Sequence, residues 1–203
     1  MSIPKDKESI AGYVAEMFVA SHMKFALNWI LDFHSFGSSY DRSKTDYSFQ
    51  RSKNDTLEYG DAKGSISYKN CAICKDHPYF KCPTLHWFFL VFRDEPFIYM
   101  VNGKSIYDKI LSKRKCKCSI DSKTGEKSYY YVIKPVDMNL LAPNIDYEKI
   151  PIAGKYKTFG EFFNNEFNGN ELQQFDDDDD IKNYINNRIA FKCDCVVMND
   201  IPS

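Results

Sequence analysis

Met23-Lys24-Phe25-Ala26-Leu27-Asn28-Trp29-Ile30-Leu31-Asp32-Phe33-His34-Ser35-Phe36 carries a large apolar side chain at every second position: Phe25, Leu27, Trp29, Leu31 and Phe33. That is the period of a pleated strand burying one face, because successive side chains point to opposite sides of the backbone. The stretch is read as the first strand of a sheet.

Upstream, Ile10, Tyr13, Val14, Met17 and Phe18 fall at helical spacing within residues 6–20, with Asp6 and Ser9 as caps. They predict an amphipathic helix packed on the domain. Downstream, residues 37–70 are polar and rich in turn formers, with room for a short strand around Tyr47 and Phe49. Residues 85–92 and 97–101 are apolar runs of strand length separated by Arg93-Asp94-Glu95-Pro96, which predicts a hairpin. Residues 129–133 form a tyrosine-rich strand stopped by Pro135. Ile189, Phe191, Cys193, Cys195 and Val197 alternate with other residues as a last half-buried strand. Many strands separated by turns, without alternating βα units, predict an all-β fold, an antiparallel β-sandwich. The expected organisation is a helical extension over residues 1–22, a sandwich over 23–199 with insertions near 50–83 and 102–126, and a tail over 200–203.

The chain has 203 residues and a formal charge of -1, so nothing in the overall charge points to nucleic acid or an anionic membrane. Apolar residues make up 43% and aromatics 16%, enough for one substantial core. No run approaches the roughly 18 apolar residues that span a bilayer. The opening Met-Ser-Ile-Pro-Lys-Asp-Lys-Glu lacks the pattern of a secretory signal, and seven cysteines make an odd count. The expectation is an intracellular protein, cytoplasmic or nuclear, with mostly reduced thiols.

Four segments in order resemble the MATH (meprin and TRAF homology) family. The first combines Phe25, Trp29, Ile30, Asp32 and Phe33; the second is Leu85-His86-Trp87-Phe88-Phe89-Leu90-Val91. The third is Lys157-Thr158-Phe159-Gly160-Glu161-Phe162-Phe163 with Glu166-Phe167, in which Lys157 and Thr158 stand where the family carries tryptophan and glycine. The fourth runs from Asn187 to Val197. The resemblance implies a TRAF/MATH-type sandwich whose aromatic row holds an extended peptide. It places Tyr99, Tyr129 and Phe159 in that row. It further implies a non-catalytic protein-interaction module of the kind used by ubiquitin-ligase and signalling adaptors, with a protein or peptide as partner.

Cys71, Cys74, His77 and Cys82 contain a C-x2-C step and are the candidate ligands of a structural zinc ion, pinning a loop without catalysis. A zinc-stabilised interaction protein of unrelated fold is the corresponding alternative. Asp176 to Asp180 and Lys113 to Lys117 read as solvated charged stretches. No G-x-S-x-G elbow, phosphate-binding glycine loop or H-E-x-x-H helix occurs, so no enzyme is expected. Residues 155–167 also resemble the segment before the core of phosphatidylserine decarboxylases. A fragment or relic of such an enzyme, lacking its reaction centre, is the third reading.

Overall fold

The computed structural model describes residues 7–33, 45–82, 85–120 and 125–167. It is mainly β, with nine strands in two sheets and a few helices. The larger sheet has the order β1-β2-β3-β5-β6-β9, formed by Ile30–Phe33, Tyr47–Gln50, Glu58–Gly64, His86–Val91, Phe97–Asn102 and Tyr147–Pro151. The smaller sheet has the order β4-β8-β7, formed by Cys71–Cys74, Lys127–Ile133 and Lys117–Ile120.

The two sheets share a layer of buried side chains, an arrangement compatible with a β-sandwich, and the buried residues divide into two clusters. Phe88, Leu90, Tyr99, Val101 and Tyr147 of the larger sheet meet Cys71, Ile73, Tyr131 and Ile133 of the smaller one. Helix α2 (Gly103–Lys109), capped by Asn102 Oδ1 accepting from Ser105 N–H at 3.0 Å, closes that layer through Ile106. On the opposite face of the larger sheet, Ala62, Phe89, Val91, Ile98 and Ile150 are covered by α1 (Lys7–Ser21) and α3 (Phe159–Glu166). Alternation along each strand is what lets one sheet serve two cores.

Helix α1 buries Ile10, Ala11, Val14, Ala15, Phe18 and Val19, more of its circumference than an amphipathic stripe needs. It is held between the sheet and α3, where Phe18 meets Phe159 and Phe162 at ring distances of 5.5 and 4.8 Å. Among the described residues no helix is long and apolar enough to cross a membrane.

Two expectations need correction. The alternation over residues 25–33 does not make one long strand: His22–Ala26 continues α1 as a π-helical turn, and Asn28 adopts a left-handed φ of 54° before β1 begins at Ile30. The sandwich is not wholly antiparallel, since β3 and β5 pair in parallel, Asp61 opposite Phe88 and Ala62 opposite Phe89. The excursion of β4 into the second sheet allows the chain to return in the same direction. Residues 50–83, expected as an insertion, contribute β3 to the middle of one sheet and β4 to the other. Glycines concealed β3: a Cβ on Gly60 would stand 2.5 Å from the Phe89 ring, and one on Gly64 2.5 Å from Ala15 of α1. The predicted strand at residues 189–197 lies outside the described residues, as does the acidic run.

Candidate functional site

The three aromatic residues expected to share a groove are dispersed. Phe159 is fully buried on the helical side of the larger sheet, 6.1 Å from Phe163. Tyr99 is buried between the sheets, where its hydroxyl donates to Glu95 Oε2 at 3.0 Å. These two lie on opposite faces of one sheet. Tyr129 is 47% exposed, on the smaller sheet, with the Lys75 ammonium 5.7 Å from its ring centre. No single row contains them.

The proposed zinc ligands diverge in the same way. Cys71 and Cys74 sit three residues apart on a strand, so their thiols leave opposite faces. Cys71 turns inward and donates to the carbonyls of Lys63 and Val91, at 3.2 and 3.7 Å. His77 Nδ1 accepts from Tyr79 N–H at 3.3 Å, and its Nε2 faces Asp61 Oδ2 at 3.4 Å. Cys82 donates to Pro78 O at 3.5 Å. Among the described residues no group of three or more His, Cys, Asp or Glu side chains is placed to hold a metal ion.

What the structure does assemble is a trough of about 520 Å³ beside the smaller sheet. Cys71, Ile73, Tyr131 and Ile133 face the larger sheet, so their neighbours Ala72, Val132 and Tyr130 face away, with Ala72 paired to Val132 and Lys117 paired to Tyr130. Those four side chains line the trough from one side. The end of β3 and the segment joining it to β4 bound the other, contributing Gly64, then Ser65, Tyr68 and Asn70. Ser65 Oγ accepts from Tyr68 N–H at 3.1 Å, a local turn that holds Tyr68 with 66% of its surface exposed. Small aliphatic groups and two tyrosines thus line the same trough, a surface that accepts side chains and stacks against them.

A charged cluster stands behind the trough. Lys63, which also lines it, places its ammonium 2.5 Å from Asp61 Oδ2. Burial lowers the lysine pKa, but Asp61 and then Asp46 outweigh it, so the net shift is upward and the ammonium stays charged. Burial alone would raise Asp61, yet Lys63 and then His77 hold it below the usual carboxylate range. Asp46, which accepts from Ala62 N–H at 2.7 Å, moves the other way: burial first, then the Asp61 and Glu16 charges, push it well above that range. Asp61 is the ionised member of the pair. Tyr79 adds a hydroxyl hydrogen bond to Thr45 Oγ1 at 3.1 Å.

Two groups at the trough, the Cys71 thiol and the Lys63 ammonium, are held in their protonated forms. Burial pushes the Cys71 thiol up to about 12, and a nucleophilic cysteine needs its thiolate. Lys63 is likewise held protonated, whereas an amine attacks only when neutral. The arrangement supports binding by shape, aromatic contact and charge. Sequence reasoning found the strand but missed Ala72, Tyr130 and Lys117. The signal available was parity in Tyr129-Tyr130-Tyr131, where one residue of offset exchanges the two faces. Comparison with models of known protein families, with curated proteins and with solved structures gives no match.

Proposed function

We propose that the chain is a non-catalytic recognition module that takes an extended segment of another protein on its smaller sheet. The observation that carries this reading is the trough itself: Tyr68 and Tyr130 line it together with Ala72, Val132, Gly64 and Lys117. Such a site offers aromatic contacts to alternate side chains of an extended peptide, and affinity of this kind concentrates in a few tyrosine anchors. Among the described residues the same sheet ends in β7, a short outer strand whose four residues are all exposed. Extended peptides satisfy their backbone groups along such edges. The two packed sheets are compatible with a β-sandwich, and a MATH-type assignment is carried within the same proposal.

Selection of random peptides displayed on phage against the full chain tests it. Enriched sequence families that bind the wild type and lose binding to Ala72→Trp, which fills the trough, are expected. Absence of enrichment, or families indifferent to Ala72→Trp, would refute the reading.

A further inference from the structure

We infer, building on that recognition role, that the partner segment is acidic and is laid as an added strand along β7. Formal charge over the whole chain is -1, yet lysines cluster on β7 and β8 and in the segments that flank them. Residues 111–134 contain Lys113, Lys115, Lys117, Lys123, Lys127 and Lys134 against two acids, Asp121 and Glu126. Arg114 in the same stretch is already occupied, its guanidinium donating to both carboxylate oxygens of Asp137 and to Val132 O. The lysines are thus a local excess that the average conceals.

Their placement fits a strand rather than a flat anion. Lys117 pairs with Tyr130 and stands on the trough side of the sheet, whereas Lys127 pairs with Ile120 and, three residues from Tyr130, stands on the other side. A peptide hydrogen-bonded to the outer edge of β7 lies directly beside Lys117 on the trough face, with Lys127 of β8 one strand further away on the other face, so carboxylates on its trough side find the nearer cation. A nucleic acid strand also brings negative charge. It offers no backbone donors and acceptors in strand register, and a trough lined by Ala72 and Val132 as well as its tyrosines is shaped for small side chains rather than a run of stacked bases. Charge complementarity and edge geometry together favour the peptide.

Fluorescence anisotropy with the full chain separates these cases. The probes are a labelled alternating Glu-Val octapeptide, its Lys-Val counterpart, a Glu-Val version N-methylated at alternate residues, and a single-stranded oligothymidylate. The Glu-Val peptide is expected to bind, weakening as salt is raised, while the Lys-Val and N-methylated peptides do not. Lys117→Gln and Lys127→Gln, both conservative surface changes, are expected to weaken it, the nearer Lys117 by about fivefold and Lys127 by less. Equal binding of the Lys-Val peptide, tighter binding of the oligothymidylate, or indifference to N-methylation would overturn the inference. If phage selection instead yields neutral or basic families that depend on Ala72, the acidic partner is excluded while the trough reading stands. If no peptide binds in either experiment, both fall.

Discussion

Replacing Arg51 by alanine removes the side chain that closes the corner of the larger sheet left uncovered by α1. Its Nη1 donates to Glu148 Oε1 and Oε2 at 2.7 and 2.9 Å, and its Nε to Glu58 Oε1 at 3.0 Å. The guanidinium carbon lies 5.3 Å from the Trp29 ring centre and 5.7 Å from that of Trp87, whose indole N–H donates to Glu58 Oε2 at 2.6 Å. Glu58 is 10% exposed at its side chain and Glu148 35%, so the two ion pairs differ in worth. The Glu58 hydrogen bond is charged and largely dry, about 1.5–2 kcal/mol, and the half-exposed Glu148 pair about 0.5. The two indole contacts add about 0.5 kcal/mol each, giving a loss near 3 kcal/mol for Arg51→Ala. Arg51→Lys should recover no more than about 1 kcal/mol, because a compact ammonium cannot span both carboxylates. The only two tryptophans of the chain are Trp29 and Trp87, so urea unfolding followed by tryptophan fluorescence reads this corner directly. A double cycle with Glu58→Gln is expected to show coupling above about 1 kcal/mol. A total loss below about 0.5 kcal/mol, or full retention by lysine, would refute the reasoning.

Three other outcomes follow from buried groups. His22 donates from Nδ1 to Phe18 O at 2.9 Å and accepts at Nε2 from Ala153 N–H at 3.2 Å, and burial holds its pKa below the ordinary 6.5. The folded state therefore binds that proton less readily than the unfolded one. Its stabilising contribution is complete above about pH 6.5 and is lost as pH falls below it, by up to about 1.4 kcal/mol per unit. Urea midpoints measured against pH should show this slope in the wild type and not in His22→Ala; parallel curves would count against it. Asp61→Asn leaves the Lys63 ammonium without its nearest carboxylate and should cost about 3 kcal/mol in denaturant unfolding, partly restored by adding Lys63→Met. A loss under about 1 kcal/mol would show that the pair is not buried as described. Chelator treatment should leave the melting temperature unchanged, since Cys71, Cys74, His77 and Cys82 point apart; a fall of several degrees would reveal a metal site.

Much of the sheet structure was legible because it depends on local alternation. The hairpin of β5 and β6 and the tyrosine-rich β8 follow from apolar runs punctuated by turn residues, and the structure pairs Phe89 with Met100 and Tyr99 with Lys149 as strand partners. Where packing was decided by tertiary approach, the local pattern misled. Glu58–Gly64 reads as turn because of its glycines and charges, yet those glycines let α1 and the Phe89 ring come close. Phe159 followed the pattern of a groove residue, although Thr158-x-x-Glu161 is the start signal of a helix: Thr158 Oγ1 accepts from Glu161 N–H at 3.1 Å. That helix carries Phe159 into the core. The site was hidden for a related reason. Its residues come from the end of β3, from β4, β7 and β8 and from the segment before β4, and only the pairing of those strands reveals which face each side chain shares.

The most direct measurement compares the affinity of one phage-selected peptide for wild type, Tyr130→Ala and Tyr129→Ala. These tyrosines are adjacent in β8 and differ in the face they occupy; only Tyr130 lines the trough. Loss of an aromatic anchor at Tyr130 should weaken binding by about tenfold or more, with Tyr129→Ala staying within about twofold of wild type. Equal losses at both positions, or a loss at Tyr129 alone, would contradict recognition through the trough.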